Sequence, residues 1–186
     1  MQSINLTNQF LIAMPGLEDP NFHRSVTYIC AHNEEGAMGI IINRPMGLVL
    51  GEVLEQMDIH INDEKISQIP IYQGGPVQAD RGFVLHQPIE NWEYSIEVCS
   101  EIGVATSRDI LKAIADGKGP PSTFIALGYA GWSAGQLEEE IKNNAWLNAP
   151  ADSSIIFNAP VEKRWESAVA LAGIDPGRLS SNIGHA

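Results

Sequence analysis

The sequence predicts an α+β fold in which strands outnumber helices. Short runs rich in β-branched and aromatic residues recur along the whole chain. Amphipathic stretches of helical spacing fall between them without the regular βαβ alternation of a doubly wound parallel sheet. Ile40-Ile41-Ile42 is apolar without alternation, as in a strand covered on both faces.

Each element has a local reason. Phe10 to Met14 is an apolar run halted by Pro15-Gly16, and Ser25 to His32 (SVTYICAH) carries strong strand formers. Asn33-Glu34-Glu35-Gly36 supplies turn chemistry, so Ala37 to Asn43 returns as the second strand of a central hairpin, which Pro45 is expected to end. Val53, Leu54 and Met57 share a face of a short helix over Gly51 to Asp58; His60 to Gln68 reads as loop. Ile69 to Gln73 makes a strand into Gly74-Gly75-Pro76, and Arg81 to His86 makes another before Pro88. Tyr94 to Val98 alternates and Ile102 to Thr106 follows, which predicts a second hairpin.

Ser107 is the expected N-cap of a helix over Arg108 to Asp116 that stops at Gly117. Thr123 to Leu127 reads as a strand leading into Gly128-Tyr129-Ala130-Gly131-Trp132, after which Ser133 and Gln136 have capping-box spacing for a helix in which Glu138 can pair with Lys142. Trp146 and Ile155 to Phe157 read as strand pieces. Val161, Trp165, Ala168, Val169 and Ala172 share one face of a last helix that begins at Pro160 and ends at Gly173. The remaining residues to Ala186 read as an irregular tail.

Composition bounds the function. The chain has 186 residues, 44% hydrophobic and 18% charged, enough for one core in a single domain spanning 1–186. Eleven Lys plus Arg against 23 Asp plus Glu give a formal charge of -12, which repels phosphate backbones and anionic membranes, so direct nucleic-acid or membrane binding is not expected. No basic leader followed by a long apolar run is present, and the expected location is cytoplasmic. Cys30 and Cys99 lack CxxC spacing and read as small hydrophobes.

The motifs for known chemistry are thin. Gly131-Trp132-Ser133-Ala134-Gly135 matches the G-x-S-x-G nucleophile elbow, with Asp152, Asp175 and His185 following in hydrolase order. Yet five residues separate Leu127 from Ser133, where an elbow serine follows its strand directly, and capping already accounts for a serine there. His23, His32, His60, His86 and His185 form no HxxxH or HxH pair and no cluster with cysteine, and neither a Walker loop nor GxGxxG is present. No catalytic residue, metal ligand or cofactor is therefore assigned.

Arginine placement is more informative, because the first half of the chain has only Arg24, Arg44 and Arg81, each flanking a strand. If those strand ends converge beside the backbone N–H groups of Gly74 and Gly75, they would grip a small anion or carboxylate bidentately. The alternative is that they bridge local carboxylates such as Asp19 and Asp80. The candidate ligand-binding set is Arg24, Asn43, Arg44, Gly74, Gly75, Arg81, His86, Tyr129 and Trp132, the two aromatics standing equally for core packing or a pocket wall.

FLIAMP, HRSVTYICAH, GAMGIIINRP, GGPV followed by DRGFVLH, GYAGWSAGQLEEE and the closing GHA resemble, in order and spacing, the AlgH/YqgE family across nearly the whole chain. The resemblance implies a bifurcated mixed sheet with a small closed barrel, surrounded by helices. In that family the serine region is similar to GYAGW, two free positions, then GQLE, which weakens the elbow reading. The family carries a label as transcriptional regulators, through alginate control in one lineage, but no established biochemical activity. Two function classes follow: a binding or regulatory module recognising a protein or small anionic ligand, acting at most indirectly on transcription, or an enzyme, hydrolytic or metal-dependent, using His23, His86 and nearby carboxylates.

Overall fold

In the computed structural model, which describes residues 4–17, 19–175 and 177, the longest strand is the axis of the sheet. That strand, β9 (Ser122–Ser133), takes three neighbours instead of two. Before it come β1 (Gln9–Ala13), β2 (Val26–Asn33), β3 (Gly36–Ile41), β4 (Pro45–Val49), β5 (Pro70–Gln73), β6 (Val77–Gln87), β7 (Ser95–Glu97) and β8 (Gly103–Ala105); β10 (Trp146–Pro150) follows. The helices are α1 (Leu50–Gln56), α2 (Glu64–Ser67), α3 (Arg108–Ala115), α4 (Gln136–Lys142), α5 (Ser153–Phe157) and α6 (Arg164–Leu171).

The main path runs β10-β1-β2-β3-β9-β6-β8-β7, and β4 and β5 branch off it. Ala126 and Leu127 of β9 pair with β5 in parallel and with β6 antiparallel, whereas Ala130 to Ser133 pair with β3. Gly128, with φ 79°, marks the point where β9 changes partners. Gly74 and Gly75 cross there so closely that a Cβ on Gly75 would lie 2.0 Å from the Tyr129 carbonyl carbon, and one on Gly74 would lie 2.3 Å from Gly128 O. Only glycine fits a backbone-on-backbone approach of that kind.

The sheet curls but does not close, contrary to the closed barrel that the resemblance implied: β10 and β7 end the path and do not pair. β7 is only three residues long and exposed throughout, with a charged Glu97, while α4 and α6 pack on β10. Short, charged or covered edges of this kind stop a sheet from extending.

Alternation along the strands sorts the core onto two faces. Phe83, Leu85 and Phe124 join Phe10, Tyr28, Ile40 and Ile42 under α5 and α6. Val84 and Ile125 face the other way, with Ile71, beneath α1 and α3. A third cluster gathers Leu11, Ile29, Trp132 and Trp146 against Leu137 of α4. Ile40, Ile41 and Ile42 are all buried, as the unbroken apolar run predicts. Cys30 is buried and Cys99 partly buried, both free thiols.

Several elements differ from the sequence expectation. Ile155 to Phe157 lies in α5, because Asp152 accepts from Ser154 N–H at 2.9 Å and caps it; an apolar run this short fits helix or strand alike. Glu64–Ser67 forms α2, capped by Asp63 within the expected loop. Pro45 opens β4 instead of ending structure, on a branch where its missing N–H costs nothing. β9 continues through Gly128–Trp132. The cap of α4 falls at Gly135 (φ 77°), although Gln136 Oε1 accepts from Ser133 N–H at 2.9 Å, half of the expected box. Ser107 holds the cap position of α3 without a side-chain cap bond, and Val161–Lys163 is a 3-10 turn before α6. His185 and the GHA motif lie outside the described residues.

Arg164 at the start of α6 is 5% exposed and, among the described residues, has no carboxylate within ion-pair reach. Its Nη1 donates to Ile42 O and its Nε to Ala159 O at 3.1 Å, and its Cζ lies 5.2 and 5.5 Å from the Tyr72 and Phe124 ring centroids. Burial lowers its pKa, and the Tyr72 hydroxyl and, more weakly, the charge of Glu162 oppose that shift. Backbone carbonyls and ring faces thus hold this charge.

Two outcomes follow. Gly75→Ala should destabilise the protein by about 1–3 kcal/mol or more, measured by urea unfolding, since strand backbone cannot move aside. Arg164→Ala should cost about 2–3 kcal/mol through the unpaired Ile42 and Ala159 carbonyls; a loss well under about 1 kcal/mol would show that water replaces the guanidinium.

Candidate functional site

The three arginines of the first half do not meet in one cleft. Arg44 folds over the Pro20–His23 loop, donating from Nη1 to the Pro20 and Asn21 carbonyls and from Nη2 to His23 O at 2.8 Å. Burial there lowers its pKa and nearby Asp19 pushes it back up. Arg24, at φ 52°, lays its guanidinium 4.2 Å from the Trp165 ring centroid. Asn43 ties the same corner, accepting from Val26 N–H and donating to Arg24 O, each at 2.9 Å. Gly74 N–H donates to Leu127 O and Gly74 O accepts from Ile41 N–H, both at 2.8 Å, so this glycine belongs to the strand crossing and not to an open anion cradle. None of the three arginines forms an ion pair with Asp19 or Asp80.

Of the three, Arg81 alone faces a cleft, of about 350 Å³, lined with Met38, Phe83, Tyr94, Ile96, Val104 and Thr106, with Glu93 and Ser95 as its other polar residues. A bulge in β6 between Val77 and Gly82 sets its position, and strand alternation puts Arg81 and Phe83 on the concave face. Nη1 donates to Gln78 Oε1 at 3.2 Å and Nη2 to Thr106 Oγ1 at 3.3 Å, and Cζ lies 5.6 Å from the Phe83 ring centroid. Every one of these partners is neutral. Tyr94 and Ile96, 66% and 49% exposed, stand at the open lip of the sheet.

The lip is firmly held. Thr106 N–H donates to Tyr94 O at 2.9 Å and Tyr94 N–H to Ser107 Oγ at 3.1 Å, while Glu93 N–H donates to Asp109 Oδ2 at 2.8 Å. Desolvation opposes ionisation of Asp109, but bonds from the Ser107 hydroxyl and the Glu93 and Ile110 N–H groups outweigh it and lower its pKa. Sequence spacing could not find Met38, Phe83 or Val104, which come from three strands. The apolar face of Tyr94, Ile96 and Val98 was the one signal in the sequence.

Tyr129 adjoins this cleft, its ring 5.5 Å from Phe83, and together with Met38 it lines a neighbouring groove that also touches Trp132. Trp132 itself is buried among Phe22 and Trp146, and both indole N–H groups donate to Glu140 Oε1, at 3.2 and 3.0 Å. His86 is 1% exposed; its Nδ1–H donates to Pro88 O at 3.1 Å and its ring packs on the Gly103 backbone.

His23, the other histidine of the enzyme reading, lies on the exposed Pro20–Arg24 loop and shares no partner with His86. The histidine–carboxylate pair that does form is His32–Glu138, at 2.7 Å, which spacing did not predict. Leu6 N–H donates to its Nδ1 at 2.9 Å, so Nε2–H donates to Glu138 and neither nitrogen is left for a substrate. Ser133 Oγ donates to Gln136, and Asp152 caps α5, so the elbow residues serve local structure. Among the described residues no three His, Cys, Asp or Glu side chains gather to hold a metal ion, and no helix is long and apolar enough to cross a membrane.

Comparison with known proteins agrees with the fold. The family model described as AlgH-like matches residues 10–177. The UPF0301 protein of Thioalkalivibrio sulfidiphilus is 59% identical over 184 residues, covering 99% of this chain and 98% of that one. The UPF0301 protein of Nitrosococcus oceani is 55% identical, over 96% of both chains. The solution structure of the AlgH protein from Pseudomonas aeruginosa superposes with a TM-score of 0.82 at 50% identity, over 100% of both chains. A crystal structure of a Corynebacterium diphtheriae protein shares the fold at 21% identity, with a TM-score of 0.70 over 91% of this chain and 88% of that one. With the family model matching most of its length and relatives at 50% to 59% identity over nearly the whole of it, the chain belongs to the AlgH-like family.

Proposed function

We propose that the protein is a binding or regulatory module that recognises an anionic group, on a small molecule or a protein partner, in the Arg81 cleft. The observation that carries this is the state of Arg81: a planar, permanently charged fork in a largely apolar cleft, hydrogen-bonded among the described residues to the neutral side chains of Gln78 and Thr106. Glu93 also lines the cleft but forms no ion pair with Arg81 among the described residues, so a carboxylate or phosphate entering there would meet an unpaired guanidinium. Phe83, Tyr94 and Ile96 would take up the apolar part of the same ligand.

The charge balance of -12 directs such recognition away from nucleic acid, so a regulatory role would run through a protein or metabolite, consistent with cytoplasmic residence. The enzyme reading has less support. His86 is buried at the far end of β6, and His23 stands on a separate loop.

A thermal-shift screen of carboxylates and phosphate esters is expected to yield anions that raise the melting temperature of the wild type. Arg81→Gln should abolish the shift and Arg81→Lys should weaken binding about tenfold, because the ammonium keeps the charge and loses the fork. Equal shifts in wild type and Arg81→Gln would refute the assignment.

A further inference from the structure

Strand β6 has a second face, and beneath it lies a more enclosed cavity of about 340 Å³ between α1, α3 and the sheet. Its walls include Leu50, Val53, Ile71, Val84, Leu111 and Ile125, aliphatic and without an aromatic ring. Its floor is Gly82. A Cβ built on Gly82 meets no heavy atom within 4 Å, and its φ lies outside the left-handed region.

Gly82 closes the β6 bulge, but neither a left-handed φ nor a close neighbour requires glycine there, in contrast to Gly75. A strand glycine marks a bulge or a place where a ligand or another backbone comes close; beyond the bulge at Gly82, no other chain segment among the described residues occupies the space over it, which leaves the strand backbone open to the cavity. A side chain of valine size or larger would take up part of that space.

Polar groups collect only at the mouth. Thr106 and Ser107 lie there with Arg108, whose Nη2 donates to Met57 O at 2.7 Å and which forms no ion pair among the described residues. Asp80 is the one acid in the lining. The Ser107 hydroxyl is engaged with Asp109 and Tyr94 N–H, which leaves Arg108 as the charged group that can meet a ligand head. The volume is at the small end of the roughly 300–1,000 Å³ of ligand sites, and walls without rings suit a flexible chain better than a stacking base.

We infer that the cavity over Gly82 is a binding site for a medium-length aliphatic chain whose carboxylate head is held at the mouth by Arg108. The site lies on the opposite side of β6 from the Arg81 cleft and shares only Thr106 with it, because residues 80, 82 and 84 face one side of the strand and residues 81 and 83 the other.

Sodium decanoate and 1-decanol, titrated separately into the full chain and followed by amide NMR, test this. Decanoate should move the amides of Gly82, Ala105 and Leu111 and raise the melting temperature. Gly82→Val, a strand former that fills the void, should fold with an unchanged or higher melting temperature and bind decanoate about tenfold more weakly. Leu111→Phe fills the same space from α3 and serves if the valine variant fails to fold. Arg108→Gln should weaken decanoate by about fivefold and leave decanol unchanged, and Arg81→Gln should leave decanoate binding intact. Absence of shifts at those amides, equal decanoate affinity in the cavity-filled variant, or wild-type binding of decanol as tight as that of decanoate would each overturn the inference.

Discussion

The architecture depends on one backbone crossing. Gly74 and Gly75 leave β5 and pass against Gly128, Tyr129 and Ala130 of β9 at distances that exclude a side chain. Because the two segments touch there, β9 pairs with β5 and most of β6 before Gly128 and with β3 from Ala130 on, Val77 of β6 still pairing with Tyr129, and the sheet divides into two arms. The clusters under α5 and α6, under α1 and α3, and against α4 each occupy a surface that this division creates.

Arginine secures the corner where the arms part. Arg44 gathers the carbonyls of the Pro20–His23 loop, Arg164 reaches Ile42 O from the opposite side, and Arg24 covers Trp165, whose indole N–H donates to Ala13 O. Among the described residues no carboxylate is in ion-pair reach of any of them. A guanidinium can satisfy several carbonyls at fixed angles while its face lies on a ring, which a lysine cannot do. The motif Ile42-Asn43-Arg44-Pro45 is therefore architecture, and its polar residues fasten one turn to the next.

The open sheet then provides the surfaces where binding is proposed. A closed barrel would bury the concave side, whereas a path that stops at β7 leaves Tyr94 and Ile96 beside Arg81 at the lip. On the other side of β6, α1 and α3 roof over the sheet without filling the space above Gly82. Thr106, at the end of the β7–β8 hairpin, lines both spaces, so bonds from Asp109 and Ser107 to the neighbouring backbone stiffen the two rims together.

The sequence by itself determined the class, the central hairpin, the buried Ile40–Ile42 strand and the α3 helix, because hydrophobic period and turn residues act over a few neighbours. It determined the family as well, since many short motifs agreed in order. It did not decide Ile155–Phe157, where a three-residue apolar run is too short to carry a period, nor the open end of the sheet, which depends on what packs beside β10 and β7. Nor could it sort the arginines. Arg24, Arg44 and Arg81 look alike as strand-flanking cations, yet two clamp a corner and one faces a cleft, while buried Arg164 gave no signal beyond its place near the start of an amphipathic helix. Whether a guanidinium is consumed by carbonyls or left facing a cleft depends on which strands meet around it, and that is decided only when the chain folds.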